Sequence, residues 1–248
     1  MVVKKDEQTA AVVEVNSETD FVAKNADFQA YVKAVAEQAV ESDAADMDAF
    51  LAEAWKADTS KTVKEALVEK IAVIGENLNI RRFEKVVAAN GCVVSYVHGG
   101  GRIGVIVEAQ TDVVNDAVKE AMTNMQVAAL SPKYISTDEV SEEYKEHEKE
   151  ILMAQIAADP KMAGKPEKVI EGAVMGRLNK ELKEVCLLEQ VYVKAEDGKQ
   201  TVAQYVAQVA KENGAALSVK KFVRFETGEG IEKKEENFAE EVAKQMNA

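Results

Sequence analysis

Basic charge, cysteine, proline and long apolar runs are all scarce in this 248-residue chain. Lys and Arg number 31 against 44 Asp and Glu, a formal net charge of −13. Phosphate backbones are bound by concentrated Lys and Arg, so the balance argues against direct nucleic-acid binding, and an anionic membrane surface would repel the chain. A charged partner should present a basic or neutral face. No apolar run approaches the length of a membrane span, and the opening MVVKKDEQ has no apolar signal core. The two cysteines, Cys92 and Cys186, build neither a disulfide framework nor a CxxC metal site. Both lie in apolar runs and are expected as buried free thiols, which fits a reducing cytoplasm. The two histidines, His98 and His147, fall in different segments with no third ligand in view, so no metal site and no cofactor are expected.

What is present is the composition of a globular protein, 47% hydrophobic and 30% charged. Residues 2–15 read as a hairpin, two β-branched runs around the polar KKDEQT. FQAYVKAVAEQAV then places Phe28, Val32, Val35, Ala36, Ala39 and Val40 at helical spacing, with Asp27 as the expected N-cap. Further helices are expected over about 46–56 and 60–75, the latter ended by Gly75. NLNIRRFEKVVA returns to strand character. Residues 93–127 repeat the order of strand, tight turn, strand, Thr-Asp, two apolar residues and helix. Asp112 matches Asp20 at an offset of 92, which puts Val105 on Val13, Val107 on Val15 and Val113 on Phe21. SVKKFVRFETGEG resembles the returning strand of the first unit.

The expected fold class is α+β: two duplicated subdomains, each a small antiparallel sheet with helices, plus an inserted antiparallel αα-hairpin or coiled coil. Residues 1–90 form the first core unit, 91–137 with 186–232 the second, 138–185 the inserted hairpin and 233–248 a C-terminal helix. In that last helix Phe238, Val242 and Met246 stand at i, i+4 and i+8, an apolar stripe able to dock on its own core or on a partner. After the insertion, VYVKAEDGKQTVAQYVAQVAKENG is expected as strand, turn and helix.

Catalytic chemistry is not in evidence. GGGR at 99–102 lies between two strands with no GK[ST] following, so it reads as a hairpin turn rather than a phosphate loop. No nucleophile is paired with a base and an orienting group, and the chain is not expected to be an enzyme. Asp20 and Phe21, at the joint between strand and helix, admit two readings. Thr19 or Asp20 caps a helical turn while Phe21 packs on the core beside Phe28, or Phe21 is an exposed aromatic with the contact area of a binding hot spot. His98 is either a surface residue flanking a turn or a contact residue.

These residues carry a resemblance. EVNSETDFVAKNADF (14–28), IGENLNIRRFE (74–84), SYVHGGGRIGVIV (95–107) and RFETGEGIEKKEENFAEEVA (224–243) are similar, in order over nearly the whole chain, to bacterial elongation factor Ts proteins. These are guanine-nucleotide exchange factors for elongation factor Tu. The family normally opens with a small helical, ubiquitin-associated-like domain, and this sequence starts at the hairpin that follows it. The resemblance implies elongation factor Tu as the partner and a cytoplasmic setting. It implies that Thr19, Asp20, Phe21 and Val22 press into the GTPase and dislodge its magnesium, with further contacts at Ile74, Gly75, His98 and Phe238. It also implies that the αα-hairpin is the coiled-coil module that supports dimerisation in some members. The competing expectation is a non-enzymatic interaction scaffold that uses the αα-hairpin.

Overall fold

Alternation along one strand organises the architecture. The computed structural model describes residues 1–125, 127, 131–162 and 164–231. Strands β1 (Val2–Lys4), β2 (Thr9–Asn16) and β3 (Asn79–Val87) form an antiparallel sheet in the order β1-β2-β3. Strands β4 (Cys92–His98), β5 (Ile103–Thr111) and β6 (Leu217–Glu226) form a second in the order β4-β5-β6. Successive side chains of a strand point to opposite faces. On β2, Ala11 and Val13 join Phe28, Val35, Phe50 and Val63 in a core shared with the helices, while Ala10 and Val12 join Val93, Ile106 and Val223 between the two sheets. On β5, Val105, Val107 and Ala109 face a helical core of their own, and Ile106 faces the first sheet. The result is four layers, helix, sheet, sheet and helix.

The outer layers follow from local sequence. Helices α1 (Asp20–Ala23), α2 (Ala26–Glu41), α3 (Met47–Ala52) and α4 (Val63–Ile74) belong to the first sheet, and α5 (Asp116–Asn124) to the second. Asn25, not Asp27, caps α2: its Oδ1 accepts from the backbone N–H of Asp27 and Phe28, leaving Asp27 in the first turn. Helix α3 is shorter than the expected 46–56 and ends at Ala52, where Glu53 leaves helical geometry and its carboxylate takes hydrogen bonds from Gln38 and Ser42. Thr62 and Glu65 form a capping box at the start of α4, and Gly75, at φ 80°, ends it as expected. Helices α6 (Glu142–Ala157) and α7 (Glu167–Val185) pack together through Leu152, Ile156, Val174, Leu178 and Leu182. The chain leaves for this pair and returns from it at one place, where Lys133 N–H donates to Val185 O at 2.8 Å and Leu187 N–H to Tyr134 O at 2.9 Å. Helix α8 (Val202–Asn213) closes the outer layer of the second sheet. The expected strand at VYV is absent. Val191 makes a single bridge to Thr201, and Tyr192 turns inward to stack on Tyr205 with ring centroids 4.0 Å apart. Cys92 and Cys186 are free and buried.

The two sheets share their strand order and a β-bulge, at Glu14/Val15 in one and Glu108/Ala109 in the other. That register sets the strand equivalence at an offset of 94, Glu14 on Glu108 and Val13 on Val107, not the 92 read from the sequence. Close approach of the sheets is visible at Gly104, where a Cβ would lie 3.0 Å from methyls of both Val2 and Val12.

One carboxylate is buried near that junction. Glu14 accepts from Arg81 Nη1 at 3.0 and 3.2 Å, Arg82 Nε at 2.6 Å, Asn16 Nδ2 at 3.2 Å and the backbone N–H of Gly228 at 2.9 Å. Burial alone would raise its pKa; the hydrogen bonds from Gly228, Arg81 and Arg82 outweigh that and hold the carboxyl below its usual range. A depressed folded pKa means that the stabilisation is complete above the unfolded value of about 4.3 and is lost as pH falls through the folded pKa. Glu14→Gln should therefore cost on the order of 2 kcal/mol near neutral pH, the worth of charge-assisted hydrogen bonds. In urea melts the gap between the two proteins should close as pH drops below the folded pKa.

Candidate partner-binding loop

The connection from β2 to α2 spans residues 17–25, whereas the corresponding connection from β5 to α5 spans only 112–115. The extra length holds α1, a single turn. Thr19 caps it, its Oγ1 accepting from Val22 N–H at 3.3 Å. Thr19 is itself held by a residue from the far end of α4: its N–H donates to Glu76 Oε2 at 3.0 Å and its hydroxyl donates to Glu76 Oε1. Glu76 follows Gly75 directly, so the structure joins the 19–22 turn to the expected contact stretch Ile74–Gly75.

The turn divides its side chains. Val22 packs, half-buried, against the helical core of the first sheet. Phe21 is 81% exposed, the most exposed large hydrophobic residue among those described. It does not pack beside Phe28, which is 5% exposed inside the core. Of the readings left open by the sequence, the cap at Thr19 is present, while Phe21 is exposed rather than packed on the core. Asp20 pairs with Lys24 Nζ at 2.6 Å, and that hydrogen bond and charge hold its carboxyl below the usual range. Ile74 is half-buried against the same core as Val22, while Val73 beside it is 76% exposed.

Val113 is not the counterpart of Phe21. The shorter second connection has no helical turn; Thr111 lies within β5, and its hydroxyl exchanges hydrogen bonds with Val113 N–H and C=O at 3.1 Å. Asp112 accepts from Ala216 N–H at 2.8 Å, an internal bond. His98 is exposed at the end of β4, before a turn in which Gly99, Gly100 and Gly101 take φ of 63°, 66° and 105°. That backbone requires glycine. His98 stands on the other sheet, and no hydrogen bond among the described residues ties it to the 19–22 turn. Phe238 lies outside the described residues. Among those described, no group of three or more acidic, His or Cys side chains could hold a metal, and no helix is long and apolar enough to cross a membrane.

The sequence profile of the family described as "Elongation factor TS" matches residues 18–229. The chain is 49% identical over 246 residues to an elongation factor Ts of Clostridium botulinum (strain Eklund 17B / Type B), covering 98% of this chain and 78% of that protein. It is 53% identical over 243 residues to an elongation factor Ts of Clostridioides difficile (strain 630), covering 97% and 77%. A relative of the same name from Clostridium novyi (strain NT) is 47% identical over 247 residues. This chain belongs to the elongation factor Ts family. As an elongation factor Ts it is a nucleotide exchange factor for elongation factor Tu, and not an enzyme.

The region matched to elongation factor Ts takes in the 19–22 turn, Ile74–Gly75, His98 and the whole second sheet but only β3 of the first, and stops short of Phe238. The sequence reading missed Glu76 as part of this site. Its signal was available, since it lies inside IGENLNIRRFE immediately after a helix-ending glycine, but nothing local to 76 shows that its partner is at 19. The division of labour in the turn has a direct consequence for stability. Phe21→Ala should shift the urea midpoint by less than the equivalent of ~0.5 kcal/mol, as for an exposed side chain. Val22→Ala should cost about 1 kcal/mol through lost burial.

Proposed function

We infer that this elongation factor Ts opens the nucleotide site of elongation factor Tu with the turn at residues 19–22. Phe21 supplies the apolar contact, Asp20 the adjacent negative charge, and Thr19 and Val22 hold the turn to the body. The observation that carries this reading is an aromatic ring left 81% exposed on a turn that is fixed on both sides of it, by Glu76 at Thr19 and by core packing at Val22. A ring already exposed and oriented has little ordering left to lose on binding.

A GTPase holds its nucleotide through phosphate contacts and a bound magnesium. Magnesium demands near-octahedral oxygen geometry at short distances, so small displacements of its ligands weaken it. A ring inserted beside those ligands, with Asp20 next to it, displaces the ion and loosens GDP. Linkage sets the rest: binding that favours the empty GTPase over the GDP form weakens GDP by the same factor. Nucleotide from solution then rebinds and releases the exchange factor. Ile74, Gly75 and His98 extend the contact surface, and Phe238 adds to it. The factor works where translation runs, in the cytoplasm.

Two features of the architecture belong to the same reading. The shared strand order, the matching bulges and the capping boxes at Thr62 and Thr201 support descent of 1–90 and of 91–137 with 186–232 from one duplicated unit. The helix pair at 138–185, entered and left at one place, acts as an inserted antiparallel coiled-coil module that serves self-association rather than exchange. Replacing 138–185 with a short Gly/Ser linker should leave GDP release intact and weaken any dimer seen by sedimentation; a folded deletion protein that no longer releases GDP would refute that division.

For the turn itself, Phe21→Ala should weaken productive interaction by about 2 kcal/mol, a loss of roughly thirtyfold in release of labelled GDP at limiting factor. Wild-type release by the folded variant would remove Phe21 from the mechanism.

A further inference from the structure

A helix of four residues cannot hold its own shape. Nucleating a turn fixes several dihedrals for very few hydrogen bonds. Helix α1 buries no residue, and it is closed only by Ala23 N–H to Thr19 O and Lys24 N–H to Asp20 O and Phe21 O, each 3.2 Å, and by Asn25 N–H to Val22 O at 2.9 Å. The direction of Phe21 must therefore be imposed from outside the turn. Val22 gives one anchor. Gln29 Nε2 of α2 donates to Ala23 O at 3.2 Å after it, and on the other side of Phe21 the anchor is Glu76, whose two carboxylate oxygens take the N–H and the hydroxyl hydrogen of Thr19. The hydroxyl can donate to Glu76 because its oxygen is the acceptor for Val22 N–H, so one side chain both caps the turn and tethers it. Charge-assisted bonds to a carboxylate are the stronger kind. Glu76 is in turn fixed in place: Gly75 ends α4 in the left-handed region at φ 80°, and Leu78, 3% exposed, anchors the chain two residues on.

We propose that Glu76 is a positioning residue for nucleotide exchange, which fixes Thr19 and thereby aims Phe21 at the partner without touching the partner itself. The proposal rests on Phe21 being the contacting side chain. It makes Glu76, next to the Ile74–Gly75 contact stretch, a support for the 19–22 turn and assigns a role to a carboxylate that the exchange mechanism leaves unused. An exposed hydrogen-bonded pair contributes little to global stability, so the effect of losing it should appear in exchange and not in melting.

The test is a double-mutant cycle in the full chain, read by release of labelled GDP from elongation factor Tu over a range of factor concentrations, with amide exchange at residues 20–24 alongside. Glu76→Ala should lower release at limiting factor about tenfold, the scale of one charge-assisted hydrogen bond. It should speed amide exchange at Val22 and Ala23 and leave the urea midpoint unchanged. Glu76→Gln keeps one acceptor for Thr19 and should fall between Glu76→Ala and wild type, while Thr19→Val, which keeps the N–H and loses the hydroxyl, should reproduce part of the loss from the other side. In the Phe21→Ala background, Glu76→Ala should cause no further loss, because a positioning residue has nothing left to position. An equal loss in both backgrounds would mean that Glu76 contacts the partner directly and would overturn the proposal, as would wild-type release by Glu76→Ala alone. Wild-type release by Phe21→Ala would overturn the proposal together with the reading beneath it, and so is distinguishable from failure of the Glu76 assignment alone.

Discussion

Everything on this molecule hangs from the contact between two small sheets, and Glu14 sits at its guarded edge. A three-stranded sheet with helices on one face leaves its other face apolar and uncovered. Here each sheet covers the other, Ala10 and Val12 against Val93, Ile106 and Val223, with Gly104 allowing the backbones to approach. Beside that apolar contact the Glu14 carboxylate gathers Arg81 and Arg82 from β3 and the backbone of Gly228 from the turn after β6. Arg82 also lies over the Phe225 ring, 4.1 Å from its centroid. One acidic side chain thus links the end of β2, the start of β3 and the chain just beyond β6. The first two of these are the strand ends from which the 19–22 turn and the 74–78 stretch emerge. A site made of loops acquires precision because its strands cannot slide.

The design separates holding from touching. Val22, Glu76 and Thr19 hold the turn; Phe21 is left over, exposed and oriented. An exchange factor needs no nucleophile or acid–base pair, since it acts by binding one state of its partner better than another. The scarcity of catalytic constellations and the surplus of 13 negative charges are consistent with a surface built for a protein partner.

Much of this was legible in the sequence. Period-two alternation gave the hairpins, helical spacing gave α2, and Gly75 and the 99–101 glycines marked a helix end and a turn, all of which the structure bears out. The failures have physical reasons. The offset of 92 was anchored on the Thr-Asp pairs, but Thr19 lies beyond the end of β2 while Thr111 is the last residue of β5, so the strand register requires 94. Asn25 and Asp27 are both good caps, and only the backbone direction chooses Asn25. VYV has strand composition but no neighbouring strand to pair with, and Tyr192 does better stacked on Tyr205. The Glu14 cluster draws partners 67, 68 and 214 positions away, and Glu76 reaches back 57 to Thr19, distances at which local pattern carries no information. Phe21 was legible as unusual, but whether it faced inward or outward was decided only by the packing of its neighbour Val22.

Turnover is the most direct test of the account. Elongation factor Tu loaded with labelled GDP is mixed with a large excess of unlabelled nucleotide and a small, substoichiometric amount of the wild-type chain, and loss of label is followed in time. A factor that loosens nucleotide and is released by its rebinding should empty the whole population of label, at an initial rate proportional to its concentration. Release limited to one equivalent per chain, or no faster than spontaneous dissociation, would contradict it and leave a binding scaffold in its place.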